Sequence, residues 1–438
     1  MKKINILLIA TIALLTASCD KFLDIEPVGR VIPKTYNDFR GVMTSAYNTV
    51  SADRSLITLR GDEAYPNNAD RIKDIFIWND TEQNPANTYF SWAQSYKVIL
   101  HTNNIIADGP TATGATPELV NQLLGEAYLL RAYIHFNLVN VYADSYGATD
   151  PKTTLGIPIA TKVDITTRYK RNTVEEVYTQ ILGDIEEAFK LINLDQQPSG
   201  YNYRFSKISA YGFAARVYLA MNNFEKAAEF ASKALAINNR LEDFNTKFTL
   251  PYTFKSVENV LALERTIGSN ITNDMMVSEP FIQRYYVNGD LRLTNYFSTT
   301  FDGIKVNAED KPEYRVSMRT AEFYLIKAES IARSNGNLDD AKATLKILLK
   351  NRLKPDYYTQ RSAEIDAMDR TTFVQTVFDE RARELALQGF RWFDLKRNGK
   401  PQIIKQYSGQ TYTLKQNDPR YVVRIPQEAV INNPNLAE

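Results

Sequence analysis

The segment from Asp379 to Lys400, DERARELALQGFRWFDLKRNGK, is the part of the sequence in which acid–base chemistry is easiest to imagine. It places Glu380, Glu384 and Asp394 among four arginines, and the two glutamates share one helix face. Paired carboxylates are what a glycoside hydrolase needs, although their separation in space does not follow from sequence. Structural ion pairs produce the same residue pattern. We therefore interpret the cluster as an ion-pair network that packs the last strong helix against the rest of the chain.

The sequence contains no motif that is typical of a metal-binding or nucleotide-binding site. The two histidines, His101 and His135, are 34 positions apart, and there is no HExxH, Cys/His or EF-hand pattern. A P-loop, GxSxG and GxGxxG are missing as well. His135 lies next to an apolar helix face, as a buried structural histidine does. We therefore expect no metal, no cofactor and no catalytic residue, although a hard-cation site made of loop carboxylates stays open.

Cys19 is the only cysteine among 438 residues, and it follows a targeting signal. Two lysines precede the twelve-residue apolar run INILLIATIALL, and three small residues lead from that run to the cysteine. A membrane-spanning helix needs about 20 apolar residues, so the run is too short to be one. The stretch is similar to a bacterial lipobox. We predict a lipoprotein signal peptide over residues 1–18 and acylation of Cys19, because two acyl chains are what stable anchoring requires.

Without residues 1–18, the chain has 420 residues (438 minus 18) and no cysteine, so it is predicted to rely on its core rather than on disulfides. Its 50 basic residues (52 minus the two signal lysines) nearly balance 51 acidic ones. This balance argues against nucleic acid as a partner. The composition is rich in aromatic residues, with 26 Tyr and 21 Phe.

Helical periodicity dominates the rest of the sequence, and it predicts an all-α fold. Thr116-Pro117 and Thr173 provide start signals for two amphipathic helices, the second with a capping box to Glu176. Two later segments have the spacing of tetratricopeptide helix pairs, and Asn222-Asn223 break the first of them. We predict a superhelical scaffold of helix pairs with long irregular loops and a few short strands. The predicted pairs are 92–142 with 173–192, 206–237, 319–355 and 373–398.

Long stretches rich in Asn, Thr, Tyr, Gly and Pro separate the helix pairs. Loops of this length are functional or disordered, and their aromatic content argues against disorder. Short strands are predicted near residues 260–263 and 421–425. For Trp92 and Tyr96, four positions apart at a helix start, we favour a role in filling the core.

Residues 51–90 and 239–315 are the predicted binding loops. An aromatic ring offers a flat surface to the C–H face of a sugar, and neighbouring Arg, Asp or Asn side chains can pair with its hydroxyls. Asp290 and Arg292 are instead expected to form a structural salt bridge. The candidate ligand contacts are Arg60, Asp62, Tyr65, Asn67, Arg71, Trp78, Tyr285, Tyr286 and Tyr296.

Several stretches resemble the SusD/RagB family. The segment 379–400 is similar to its C-terminal signature, Glu-Arg, Glu-Leu and then Gly-x-Arg-Trp-Phe-Asp-Leu-Lys-Arg. RIPQEAVINNPNL at 424–436 resembles its closing Pro-x-x-Glu and Asn-Pro-Asn-Leu, and YYVNGDLRLTNYF at 285–297 its Gly-Asp-x-Arg stretch. CDKFLDIEP and the following TYNDFRGVMTSAYNTV resemble its lipoprotein opening.

The resemblance implies a single domain over residues 19–438 and a lipoprotein on the surface of the outer membrane. Such a protein lies on a SusC-like TonB-dependent transporter and captures a nutrient, usually an oligosaccharide, without chemical turnover. The resemblance therefore implies that the protein is not an enzyme. Three alternatives stay open: the peptide-binding subunit of an importer, a surface glycoside hydrolase, and a helical-repeat scaffold for protein assembly.

Overall fold

The computed structural model describes residues 33–51, 53–67, 70–80, 90–164, 166–198, 200–308 and 311–437. Cys19 and the predicted signal peptide lie outside these residues. Within the described ranges, no helix combines the length and the apolar character needed to cross a membrane.

Helices form the scaffold, which confirms the all-α prediction. Sequence-adjacent helices pack in pairs, and the pairs stack on one another: the helix Phe224–Ile237 packs against both Lys207–Ala220 and Thr320–Arg333. The helices of the described residues are α1 (Tyr36–Thr49), α2 (Asp53–Ile57), α3 (Asp70–Phe76), α4 (Trp92–Asp108), α5 (Pro117–Tyr142), α6 (Val174–Leu191), α7 (Lys207–Ala220), α8 (Phe224–Ile237), α9 (Ser269–Asp274), α10 (Glu279–Ile282), α11 (Arg292–Tyr296), α12 (Thr320–Arg333), α13 (Leu338–Lys350), α14 (Pro355–Asp366), α15 (Arg370–Glu384), α16 (Arg391–Arg397) and α17 (Gln427–Asn432).

Local sequence signals set the ends of the long helices. Thr173 and Glu176 form the predicted capping box, in which the Glu176 carboxylate accepts from the Thr173 N–H at 2.8 Å. Asn222 between α7 and α8 has φ of 58°, and Asn335 between α12 and α13 has the same value. Asparagine tolerates this left-handed conformation better than most residues. The two helix pairs therefore turn by the same device, as expected of a repeat.

Glycine permits a close approach between two helix pairs. Gly212 of α7 faces Phe323 of α12, and a Cβ atom at position 212 would lie 2.2 Å from the Phe323 ring. Both residues are buried. The stacking of one pair on the next thus depends on a glycine, which has no side chain, at position 212.

The strands within the described residues are all short and occur in antiparallel pairs: β1 with β3, β2 with β6, β4 with β5, and β7 with β8. The strands are β1 (Ala64–Pro66), β2 (Asn259–Leu261), β3 (Met275–Val277), β4 (Phe297–Thr300), β5 (Gly303–Val306), β6 (Met318–Arg319), β7 (Ile403–Tyr407) and β8 (Gln410–Leu414).

The structure confirms one predicted strand and corrects the other. Strand β2 lies where residues 260–263 predicted one. Residues 421–425 instead leave a 3-10 turn and run irregularly, with Val423 donating its N–H to the Val141 carbonyl rather than to a strand. The Tyr421 ring stacks on Trp392 at 4.6 Å between centroids. Tyr421 and Val423 are buried and alternate with more exposed neighbours because they pack against helices, not because the segment pairs in a sheet.

Candidate functional site

The two predicted binding loops meet on one surface, which we call the loop face and define as residues 60–67 with 274–306. Pairing of β1 with β3 puts Tyr65 opposite Met276. The Ser278 hydroxyl donates to the Asp62 carbonyl oxygen at 2.7 Å, across 216 positions of sequence. The β4–β5 hairpin packs against β3. Two distant stretches therefore form one connected surface.

Asp62 forms salt bridges with two arginines at the loop face. Its carboxylate accepts from Arg391 at 2.8 Å and from Arg284 at 3.0 Å, while its side chain keeps 24% of its exposure. Burial raises the pKa of Asp62, but the hydrogen bonds of Arg391 and the charges of both arginines outweigh burial and hold this pKa below its usual value. Asp62 is therefore an ionised acceptor within reach of the surface.

Tyr65 and Asn67 also remain at the surface of the loop face. Both side chains are half-buried. The Tyr65 hydroxyl lies 3.1 Å from the position that a Cβ atom would take at Gly303, so the ring rests against the β4–β5 turn. Asn67 donates its backbone N–H to the Asp274 carbonyl, and its amide side chain is left at the end of β1. These residues stay candidates for ligand contact.

Arg60 and Trp78 are buried, which corrects the expectation that they contact a ligand. Arg60 donates from both terminal nitrogens to Asp80 at 2.9 Å, and its guanidinium lies over the Trp392 ring. The Trp78 indole N–H donates to the Arg60 carbonyl at 2.9 Å. Their exposed fractions are 0% and 1%. Both side chains hold the loop in place from beneath.

Tyr285 and Tyr296 are buried as well, while Tyr286 is half-buried. The Tyr285 hydroxyl donates to the Arg383 carbonyl at 2.6 Å, and Tyr286 accepts from the Arg383 guanidinium at 2.8 Å. These tyrosines fasten the second binding loop to α15. Arg71 belongs to α3, but its side chain lies outside the described part of the structure.

Phe301 is a loop-face residue that the sequence reasoning missed. It occupies the turn between β4 and β5, and its side chain is fully exposed. The sequence does contain a turn signal here, because Asp302-Gly303 follows Phe301 and such a pair is typical of a hairpin turn. Gly303 has φ of 140°, a value that side-chain-bearing residues avoid. The turn therefore projects an aromatic ring into solvent.

The carboxylates of α15 form the ion-pair network that the sequence predicted. Arg292 reaches Glu380 at 2.5 Å and Glu384 at 2.9 Å, and Glu384 also pairs with Arg319 and Arg352 at 2.7 and 2.9 Å. Arg292 pairs with Asp290 too, as expected.

This network is not suited to acid catalysis. Burial raises the pKa of Glu380 and of Glu384, but the surrounding arginines outweigh burial and leave both pKa values below the usual value. Both side chains are inaccessible to solvent. Glycoside hydrolysis requires a carboxylic acid with a raised pKa beside the substrate, and these two residues do not provide one.

His135 is buried, as the sequence predicted, but only one of its two ring nitrogens has a hydrogen-bond partner among the described residues. Its Nδ1 lies 3.0 Å from the Arg131 carbonyl, and burial lowers its pKa to about 3. The ring is therefore neutral at physiological pH. Among the residues that the structure describes, no group of three or more His, Cys, Asp or Glu side chains could hold a metal ion.

Comparison with known proteins agrees with the sequence resemblance. Residues 21–219 match the family model described as starch-binding associating with outer membrane, and residues 284–438 match the SusD family model. SusD-like protein P38 of Formosa agariphila is 29% identical over 252 residues, or 54% of this chain and 46% of that protein. The chain thus matches about half of that relative's length.

The fold is shared with solved structures. A SusD superfamily protein from Bacteroides thetaiotaomicron superposes with a TM-score of 0.79 at 20% identity, covering 92% of this chain and 99% of that one. A laminarin-binding SusD-like protein superposes with a TM-score of 0.66 at 16% identity, covering 91% and 97%. The two family matches leave out residues 220–283 between them, and together they take in most of the chain. The chain belongs to the SusD/RagB family.

Proposed function

We propose that this protein is a lipoprotein of the outer-membrane surface that binds an oligosaccharide and delivers it to a SusC-like TonB-dependent transporter. The observation that carries the proposal is the meeting of the two predicted binding loops in the loop face. Family membership supports it, since one family description is starch binding at the outer membrane and one similar structure is of a laminarin-binding protein.

The chemistry of the loop face suits a neutral glycan. The exposed ring of Phe301 and the half-buried ring of Tyr65 offer flat surfaces for the C–H faces of sugars. The ionised carboxylate of Asp62 and the amide of Asn67 are acceptors for hydroxyl groups. Arg284 and Arg391 pair with Asp62, and Arg284 also pairs with Asp379, so the two positive and two negative charges balance and do not select for a charged ligand.

In this proposal, the protein binds the oligosaccharide without cleaving it. The carboxylates of α15 are buried in ion pairs with lowered pKa values. Incubation of the purified protein with neutral oligosaccharides should release no reducing sugar. Release of reducing sugar that a single carboxylate substitution abolishes would favour the glycoside hydrolase instead.

Two measurements test the proposal as a whole. Screening of the purified protein against a glycan array and a peptide library should yield saturable binding to glycans. Binding to peptides alone would favour the peptide importer, and binding to neither would leave the scaffold for protein assembly. Purification from outer membranes should recover a large β-barrel transporter with the protein, whereas an unpartnered soluble monomer would count against the transporter partnership.

A further inference from the structure

A groove of about 800 Å³ runs along α4, and none of its lining residues belongs to the loop face. We call it the α4 groove. Helix α4 forms one wall, residues 158–164 with 166–169 form a second, and the C-terminal segment 426–436 forms a third. Its volume lies within the range of roughly 300–1,000 Å³ that is typical of ligand pockets.

Hydrogen bonds hold the second wall against α4. The Tyr96 hydroxyl donates to the Pro158 carbonyl at 2.9 Å. The Asn103 amide donates to the carbonyls of Ala160 and Lys162 at 3.2 and 3.0 Å. Because the backbone of this segment is tied to side chains of a long helix, the groove is formed before any ligand arrives.

The C-terminal wall is fixed in the same manner, by two asparagine side chains. Asn433 donates to the Tyr169 carbonyl at 2.8 Å, and Asn435 donates to the Arg168 carbonyl at 3.1 Å. Helix α17 has no buried residue, whereas Leu436 beyond it is buried. The Asn-Pro-Asn-Leu stretch thus anchors a surface segment that would otherwise have little contact with the scaffold.

Aromatic rings line the groove. The centroids of Trp92 and Tyr96 are 5.0 Å apart, and Trp92 also meets the edge of Tyr142 at 5.0 Å. Trp92 is buried with 8% of its surface left exposed, as its predicted role in the core requires, while Tyr96 and Tyr169 are half-buried. Both rings of the Trp92–Tyr96 pair line the groove while they also pack against the scaffold.

Polar side chains border the groove without being used by the fold. Within the described parts of the chain, the side chains of Gln94, Lys97, Lys162 and Asn432 have no hydrogen-bond or salt-bridge partner. They are therefore free to bind hydroxyl groups. The charged lining residues balance, since two lysines are matched by two acids, and this balance favours an uncharged ligand. The charged lining residues are Lys97, Lys162, Asp164 and Glu428.

We propose that the α4 groove is a second carbohydrate-binding site, which takes a neutral oligosaccharide with a sugar ring against the Trp92–Tyr96 pair. Fixed walls, bordering rings, unused hydrogen-bonding groups and balanced charge all fit such a ligand. The choice of carbohydrate as the ligand rests on the proposed function, but the site is separate from the loop face.

Tryptophan fluorescence reports on this groove selectively. The chain has three tryptophans, and Trp78 and Trp392 are only 1% and 0% exposed. Trp92 alone borders the α4 groove. Titration with laminariheptaose and with maltoheptaose should therefore change the fluorescence in a saturable manner if either sugar enters the groove.

Two matched substitutions on α4 locate the binding. Ala93 and Ala107 are both exposed, but only Ala93 lines the groove. Arginine is a good helix former, so Ala93→Arg should fill the groove and Ala107→Arg should serve as the control, each with α4 intact. We expect Ala93→Arg to weaken the fluorescence-detected affinity at least tenfold and Ala107→Arg to leave it unchanged.

The outcomes separate this proposal from the proposed function. Suppose that calorimetry detects binding of either heptasaccharide while the Trp92 fluorescence does not change and Ala93→Arg has no effect. That result would overturn the second site and leave the loop face as the binding site. Absence of glycan binding of any kind would overturn both. Saturation of the Trp92 response by peptides and not by sugars would overturn the assignment of a carbohydrate to the groove.

Discussion

Asn67 donates its backbone N–H to the Asp274 carbonyl oxygen at 2.7 Å and thereby joins the two binding loops directly. The bond continues the pairing of β1 with β3, in which Pro66 lies opposite Met275. Because backbone pairing fixes the loops relative to each other, the loop face is held in one arrangement by main-chain contacts. Its surface side chains can then vary without loss of that arrangement.

Phe301→Ala tests the loop face. The ring is fully exposed at the β4–β5 turn, so its removal should leave the melting temperature unchanged. Loss of one stacking contact of about 1 kcal/mol should weaken glycan binding about fivefold by calorimetry. Leu119→Ala, at an exposed apolar position on α5, is the control. Equal affinities of Phe301→Ala and the wild type would remove Phe301 from the site.

Glu384→Gln tests the buried ion-pair network. Glu384 has three arginine partners and no solvent exposure, so its loss leaves buried positive charge without compensation. We expect the free energy of unfolding to fall by about 3–5 kcal/mol in denaturant titration. Glu364→Gln is the matched control, because its salt bridge with Arg361 is at the surface and should contribute under 1 kcal/mol. Similar small effects of both substitutions would show that the network does not stabilise the fold.

Glu63→Gln tests a pH dependence of stability. Glu63 is fully buried, and burial raises its pKa to about 8. The folded state therefore binds a proton that the unfolded state releases near pH 4.5, so this residue's contribution to stability is present at low pH and is lost as pH rises toward 8. The loss is at most about 5 kcal/mol.

Glutamine can still accept from the Leu387 N–H, as Glu63 does at 2.8 Å. Calorimetric melting at pH 5 and pH 8 should thus show Glu63→Gln close to the wild type at pH 5 and clearly more stable at pH 8. Glu364→Gln should show no such difference over this range, because the pKa of Glu364 is lowered by its hydrogen bonds to Arg361 and Gln360. A constant difference between Glu63→Gln and the wild type at both pH values would contradict the raised pKa.

Gly212→Ala tests the contact between helix pairs. The added Cβ would approach the Phe323 ring to 2.2 Å, so α7 and α12 must move apart, at a cost of about 1–3 kcal/mol. Gly183→Ala in α6 is the opposite case, since no atom lies within 4 Å of the added Cβ. There the higher helix propensity of alanine should stabilise the fold by up to about 1 kcal/mol. Thermal melts that shift in the same direction for both variants would refute the close contact.

Cys19→Ser tests the predicted lipid anchor. Mass spectrometry of the mature wild-type protein should find an acylated N-terminal cysteine, and the variant should lose the attachment. Without acyl chains the variant should move from the membrane fraction to the soluble fraction on cell fractionation. An unmodified N-terminus in the wild type would show that the protein is secreted without a lipid.

The sequence by itself determined the helical scaffold and the family. Capping at Thr173, the breaks at Asn222 and Asn335, and apolar spacing along α5 are local signals, and each acts within a few residues of the structure it specifies. The ion pairs of α15 were also foreseeable, because arginines and glutamates in such density must be paired when buried.

Only the tertiary structure decided which loop side chains reach the surface. Arg60 and Trp78 have the residue types of a sugar site, yet Asp80 and a backbone carbonyl hold them inside the protein. Tyr285 is buried by its bond to Arg383, 98 positions away. Exposure of a polar or aromatic side chain depends on partners that are distant in sequence, and the sequence pattern around the residue does not contain them.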